Sequence, residues 1–320
     1  HPIMIKRMET IYLQNTSVTH ATPYVATLGF FDGLHLGHQY LVRQVVDRAR
    51  QVGMQSMVIT FDLHPRQVLQ QDYQPELLST LDMKLEQLSL TGVDQVVVLH
   101  FDRQLASLSA HDFMAEVLSR QLHVKELIIG YDNRFGHNRQ EGFEDYQRYG
   151  IALGMTVTQS DAFSLQGIQV SSSVVRRLIN EGNLDEANRC MGRPYALDGK
   201  IVGGFREGRK MGFPTANLDL SSTHQLIPPH GVYAVRVHIE GYGQTLYGMT
   251  NIGIRPTFGG LNLTVETYIF DFSGDIYDRR IRLDFIRRVR EERKFSGPEE
   301  LSAQLKKDEA HIRQLFKATI

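Results

Sequence analysis

The chain has 320 residues, 42% of them hydrophobic and 22% charged, with a formal net charge of −1. That length accommodates one large domain or two of ordinary size, and the composition is that of a folded globular protein. The near-neutral charge gives no electrostatic case for a nucleic-acid partner, the lone Cys190 cannot form an internal disulfide, and no apolar run reaches the roughly eighteen residues of a membrane span.

From the start, His1 to Met8 lacks the apolar stretch of a signal peptide. The expectation is a cytoplasmic protein with neither nucleic acid nor membrane as partner. Tyr24 to Gly29 reads as a strand, and Leu41, Val42, Val45, Val46 and Ala49 recur after it at helical spacing. Ser56 to Thr60 is a second strand. Ser79 or Thr80 can cap a helix from Asp82 to about Leu90, which Gly92 stops. Val96 to Leu99 is a third strand, Ser109 with Asp112 resembles a capping box, and Leu127 to Gly130 is a fourth strand. Strands alternating with helices predict a parallel sheet covered on both faces.

Helices are expected over Ser173 to Asn180 and Leu184 to Arg189, with the domain boundary just beyond, giving domains 1–190 and 191–320. Cys190 has no base beside it and reads as structural. Glycines then become frequent, and short strands follow at Val232 to Ile239, Thr245 to Met249, Thr264 to Phe270 and Ile281 to Phe285. That texture predicts an antiparallel barrel. Pro298 opens a last helix whose apolar stripe is Leu301, Leu305, Ile312 and Leu315. The arginine run from Arg279 to Arg290 reads as a solvated face, since Glu291 and Glu292 follow it.

The chemistry starts at Gly29-Phe30-Phe31-Asp32-Gly33-Leu34-His35-Leu36-Gly37-His38, between the first strand and the first helix. An open parallel sheet places its ligand at such a point, helix-start amides attract phosphate, and glycines allow it to approach. His35 and His38 add side-chain donors. The glycine spacing is not that of a dinucleotide fingerprint, and no Gly-Lys-Ser/Thr of a P-loop is present. The alternative for the two histidines is that they only cap and pack.

This stretch resembles the H-x-G-H signature of the nucleotidyltransferase superfamily, which moves a nucleoside monophosphate from a triphosphate to a phosphate-bearing acceptor. The resemblance implies roles for His35 and His38 in transfer, and for Gly29, Phe31, Asp32, Gly33 and Gly37 in nucleotide binding. Val170-Ser171-Ser172-Ser173-Val174-Val175-Arg176 looks like the superfamily's S-S-T-x-x-R loop, which assigns Ser171, Ser172 and Arg176 to the triphosphate; Ser173 and Val174 depart from that pattern. Thr60-Phe61-Asp62-Leu63-His64-Pro65 and Gly130-Tyr131-Asp132-Asn133-Arg134-Phe135-Gly136 resemble segments of the bacterial bifunctional riboflavin kinase/FAD synthetase family, with Leu63 and Asn133 departing from it. Asp132 is either a nucleotide or flavin contact or plain turn chemistry.

In the second half, Gly208-Arg209-Lys210-Met211-Gly212-Phe213-Pro214-Thr215-Ala216-Asn217 is similar to the riboflavin kinase signature G-x-x-x-G-F-P-T-A-N. The likeness implies a nucleotide loop through Gly208, Lys210, Gly212 and Pro214, with Thr215 and Asn217 as oxygen ligands of Mg²⁺. Val265-Glu266-Thr267-Tyr268-Ile269-Phe270-Asp271-Phe272 supplies Glu266, which the family resemblance makes the catalytic base. Asn251 to Phe258 and Arg290 to Phe295 are further family segments expected to shape the flavin pocket. The implied architecture is a Rossmann-like α/β nucleotidyltransferase domain with a parallel sheet, followed by an antiparallel β-barrel with a terminal helix. The implied activity is phosphorylation of riboflavin by ATP to FMN and ADP, then adenylylation of FMN to FAD, both with Mg²⁺. The rivals are a riboflavin kinase with a degenerate N-terminal domain, and a flavin- or nucleotide-sensing regulator.

Overall fold

The computed structural model describes residues 7–13, 22–203 and 215–318. The backbone divides into two compact units, His1–Ser172 and Ser173–Ile320.

The first unit is a six-stranded, wholly parallel sheet. Its strands are β1 (Glu9–Leu13), β2 (Tyr24–Leu28), β3 (Gln55–Phe61), β4 (Gln95–Leu99), β5 (Val124–Ile129) and β6 (Thr156–Gln159), in the order β1-β4-β3-β2-β5-β6. The expected strands are its four central ones. The chain steps outward from β2 through β3 and β4, then returns to the other side of β2 with β5 and β6. The strand order therefore reverses between β2 and β5, and a crevice opens there at the carboxyl ends of the strands. Every residue of β2 is buried, as suits a strand covered on both faces.

Helix α1 (Leu36–Val52) follows β2 and buries the anticipated stripe Leu41, Val42, Val45, Val46 and Ala49, ending on the left-handed Gly53. Short α2 (Pro65–Leu69) follows β3. Helix α3 (Leu81–Ser89) starts where Thr80 Oγ1 accepts the Met83 N–H at 3.2 Å. After α4 (Arg103–Ala106), α5 (Ala110–Asp112) continues into a π-wound stretch, Phe113–Gln121, and α6 (Phe143–Leu153) precedes β6. A small hairpin of β7 (Ser164–Leu165) and β8 (Ile168–Gln169) leads to the next helix.

Helices α7 (Ser172–Asn180) and α8 (Leu184–Met191) lie at the start of the second unit, although the domain boundary expected from sequence falls after them. Asn188 ties α8 to the strands that follow: its Nδ2 donates to the Phe285 carbonyl at 2.9 Å, and its Oδ1 accepts the Tyr195 N–H at 2.8 Å. Cys190 is buried there, and burial pushes its thiol pKa up, away from reactivity. The strands β9 (Tyr195–Val202), β10 (Thr215–Leu218), β11 (Gly231–Ile239), β12 (Leu246–Thr257), β13 (Gly260–Ile269) and β14 (Arg280–Arg290) close an antiparallel barrel in the order β10-β13-β12-β11-β14-β9. Its interior holds Tyr195, Tyr233 and Phe285, the last two edge to face at 5.3 Å. The terminal helix α9 (Pro298–Lys317) lies on the outer face, packing Ile312 and Phe316 onto Val232, Ala234, Met249 and Phe270.

The arginine run on β14 is not simply solvated. Arg290 donates from Nε to both carboxylate oxygens of Asp308 at 3.2 and 3.0 Å, and Asp308 is only 3% exposed; the pair pins α9 to the barrel. Arg280 and Arg282 both face Asp198.

Candidate active sites

In the first unit a cavity of about 280 Å³ lies at the reversal of strand order. The end of β2 contributes Gly29, Phe30 and Phe31, and the start of α1 contributes His35, Gly37 and His38. The end of β5 gives Gly130 to Asn133, the end of β6 gives Ser160 to Phe163, and the stretch leading into α7 gives Gln169 to Ser172. Four loops at strand ends thus converge on the start of one helix, whose first amides carry partial positive charge.

The histidines are built into that helix start. His35 is 4% exposed and is the N-cap of α1; its Nδ1 accepts the His38 N–H at 3.2 Å, so the neutral ring keeps its proton on Nε2. The two rings stack with centroids 3.5 Å apart, and Phe31 meets His38 edge to face at 5.2 Å. Gly37 has to be glycine, since a Cβ would lie 2.9 Å from His35 Cε1 and 3.2 Å from the Val170 carbonyl. Ser172 Oγ donates to the Asp32 carbonyl at 3.0 Å, joining the serine loop to the turn after β2. Asn133, the family departure, donates from Nδ2 to the Leu28 carbonyl at 2.6 Å and so ties the ends of β5 and β2 across the crevice.

Of the expected first-site residues, Gly29, Phe31, His35, Gly37, His38, Asp132, Ser171 and Ser172 line this cavity. Asp32 and Gly33 do not. The buried Asp32 carboxylate accepts the Leu78 N–H at 2.9 Å and the Ser79 N–H at 3.3 Å. Gly33, at φ +80°, donates its N–H to Ser79 Oγ at 3.1 Å. Both residues hold the turn in shape from behind. Arg176 lies on α7, in the second unit. The Ser160–Phe163 loop escapes sequence reading because β6 is a polar edge strand with only Val157 buried. The rule that parallel sheets bind at strand ends would have located it once that strand was recognised.

In the second unit a cavity of about 1180 Å³ lies between the outer barrel face and the start of α9. Register explains its polar wall. Asn217 on β10 pairs with Glu266 on β13, which pairs with Asn251 on β12, which pairs with Val232 on β11, so their side chains share one face. Glu266 is 9% exposed and its Oε2 accepts from Arg255 Nη2 at 3.3 Å. Asn217 is 7% exposed, and its Nδ2, like Asn251 Oδ1, is buried without a hydrogen-bond partner among the described residues. Thr215, on the Asn217 face of β10, lines the cavity.

More of the wall comes from the two family segments, with Ile254, Arg255 and Pro256 from one and Arg290 and Glu292 to Phe295 from the other. Gly253 lies directly under the Glu292 carboxylate, which a Cβ there would displace. His230 and Tyr268 also line the cavity and carry no sequence signal that distinguishes them from ordinary strand residues. Gly208, Lys210, Gly212 and Pro214 lie outside the described residues.

Two family models match the chain in succession, FAD synthetase over residues 17–174 and riboflavin kinase over residues 191–316. A bifunctional riboflavin kinase/FMN adenylyltransferase of Escherichia coli K12 is 36% identical over 96% of this chain and 97% of its own. The protein so named from Listeria monocytogenes is 38% identical over 97% and 98%, and that from Bacillus subtilis is 33% identical over 91% and 92%. A solved chain from Streptococcus pneumoniae, described as a macrolide-efflux protein, superposes with a TM-score of 0.85 at 32% identity, covering 96% of this chain and 99% of that one. Among the described residues of this chain no helix is long and apolar enough to cross a membrane.

Proposed function

The chain belongs to the family of bifunctional riboflavin kinase/FMN adenylyltransferases, and on that premise we propose which residues carry each of its two reactions. It phosphorylates riboflavin with ATP to FMN and ADP, and adenylylates FMN with ATP to FAD and pyrophosphate. We assign the adenylyltransferase domain to residues 1–190 and the kinase domain to 191–320, in a cytoplasmic protein. Neither rival is favoured, because both halves match their own family model.

In adenylylation the FMN phosphate oxygen bonds to the α-phosphorus of ATP while the bond to the leaving pyrophosphate breaks. The attacking oxygen is already anionic at neutral pH, so the protein needs alignment and charge neutralisation rather than a base. His35, His38 and the first amides of α1 do this. Gly29, Phe31, Gly37, Asp132, Ser171 and Ser172 form the nucleotide and flavin walls, Asp32 and Gly33 act through the turn, and Arg176 is assigned to the triphosphate on its motif. The observation that carries this is the stacked histidine pair at a helix start, where the strand order reverses.

In phosphorylation the acceptor is an alcohol, and Glu266 takes its proton as the oxygen bonds to the γ-phosphorus and the bond from that phosphorus to the leaving ADP breaks. Arg255 orients the carboxylate. Thr215 and Asn217 would offer hydroxyl and carboxamide oxygens to Mg²⁺, and the buried Asn217 Nδ2, in register with Glu266 and unpartnered among the described residues, is a donor that a phosphate oxygen of the nucleotide would satisfy. Bound there with ATP, the ion neutralises phosphate charge. Gly208, Lys210, Gly212 and Pro214 are assigned to the nucleotide loop on their signature. Incubation with riboflavin, ATP and Mg²⁺, with FMN and FAD resolved, tests the assignment. Absence of FMN sinks it, and FMN without FAD turns it toward a kinase with an inactive N-terminal half.

A further inference from the structure

Lys84 lies on α3, outside every motif, on a helix whose pattern reads as an ordinary amphipathic surface helix. It is nevertheless 3% exposed. Its Nζ donates to the Phe30 carbonyl at 2.8 Å, to Thr60 Oγ1 at 3.0 Å and to the Phe61 carbonyl at 3.2 Å. An ammonium has three N–H groups, and all three are used. Thr60 Oγ1 in turn donates to the Phe30 carbonyl at 3.0 Å, which closes a triangle of Lys84, Thr60 and Phe30. The ammonium also stands 4.1 Å from the centroid of the Phe30 ring.

Phe30 lines the first cavity, and the next residue, Phe31, adopts a left-handed backbone (φ 57°, ψ 44°) before packing edge to face on His38. A non-glycine residue holds that conformation only when its surroundings fix it. The Phe30 carbonyl belongs to the peptide that enters this bend, and Lys84 and Thr60 hold that carbonyl. Burial pushes the Lys84 ammonium pKa down to about 7, against Asp32 and Asp62, the charged groups that favour its charge. Were packing the only requirement, methionine would fill the same niche without desolvating a charge.

We propose that Lys84 is a positioning residue for FMN adenylylation, clamping the Phe30 carbonyl against the end of β3 so that the Phe31 bend aims the His35–His38 pair. It touches no substrate and acts through Phe30. The inference rests on assigning adenylylation to this cavity.

The test uses the full chain, measuring FAD formation from supplied FMN and ATP, and FMN formation from riboflavin. Lys84→Met is expected to lower kcat for adenylylation roughly 10- to 100-fold, the scale of a small misplacement of catalytic groups. KM for FMN and ATP should change much less, and riboflavin phosphorylation not at all. Thr60→Val removes one corner of the triangle and is expected to lower the same kcat, while Thr60→Ser keeps the hydroxyl and should restore it. A folded Lys84→Met protein with adenylylation kcat within twofold of the parent overturns the proposal. If Lys84→Met does not fold, Thr60→Val decides: unchanged kcat overturns it, and a loss rescued by serine supports it. His38→Ala measured alongside separates the two ideas. Loss with His38→Ala but not with Lys84→Met leaves the site assignment standing and removes Lys84, whereas no loss with His38→Ala removes the assignment itself.

Discussion

Under the proposed assignment, the two cavities would solve different chemical problems with different materials. The first is small and set where a parallel sheet reverses its order, walled by loop backbone, a helix start and two imidazoles. The second is about four times larger and lies on the outside of a barrel beneath a helix, with a buried carboxylate in its wall. An anionic phosphate acceptor needs only orientation and donors, whereas an alcohol needs its proton removed. The residue that marks the difference is Glu266, and the sharpest test of the comparison removes it.

Glu266→Ala is expected to lower FMN formation by roughly 10²- to 10⁴-fold, the usual worth of a positioned base, and to leave adenylylation of supplied FMN intact. Equal loss of both activities would break the division into two sites. His38→Ala is expected to do the reverse with a smaller effect, roughly 10²- to 10³-fold on FAD formation, because it removes one charge-stabilising donor among several. Chromatographic separation of FMN and FAD from each variant checks both.

How much of this was legible depended on what kind of signal each residue leaves. The central strands β2, β3, β4 and β5 read clearly because each carries a run of apolar or β-branched residues, in β5 from Leu127 to Ile129. The edge strands β1 and β6 did not, since each carries a single buried side chain. Motif residues such as Gly37, His38 and Glu266 were legible as letters, with their reasons supplied only by contacts, such as the Val170 carbonyl against Gly37. Lys84 was invisible. A lysine on a helix reads as solvent-facing, and only the packing of α3 under the turn at residues 32–34 encloses it. Which neighbour α8 joins is equally unmarked in its letters, and depends on bonds such as Asn188 to Phe285.

A milder change sharpens the second site. Asn217→Ala is expected to raise the Mg²⁺ concentration needed for half-maximal FMN formation, while saturating Mg²⁺ recovers a larger share of the rate than it does for Glu266→Ala. An unchanged Mg²⁺ titration removes Asn217 from the metal site. Adenylylation of FMN should show no such shift.

The smallest expected effect on chemistry is at Gly33, and it separates shape from contact in the first site. Gly33 does not line the cavity, but it sits at φ +80°, ψ −10° with its N–H on Ser79 Oγ. A Cβ there would lie 2.9 Å from Leu78 Cβ, a residue with 1% exposure that has little freedom to withdraw. Gly33→Ala therefore meets both an unfavourable backbone region and an overlap, together about 1–3 kcal/mol. For a unit of this size each kcal/mol lowers the melting temperature by roughly 2–4 °C. The loss should fall on the first unit alone, leaving FMN formation unaffected, and FAD formation measured well below the melting transition should drop only modestly. A fall in adenylylation as large as that of His38→Ala, at a temperature where the variant is fully folded, would show that Gly33 meets the nucleotide directly and that the turn is part of the contact surface rather than its support.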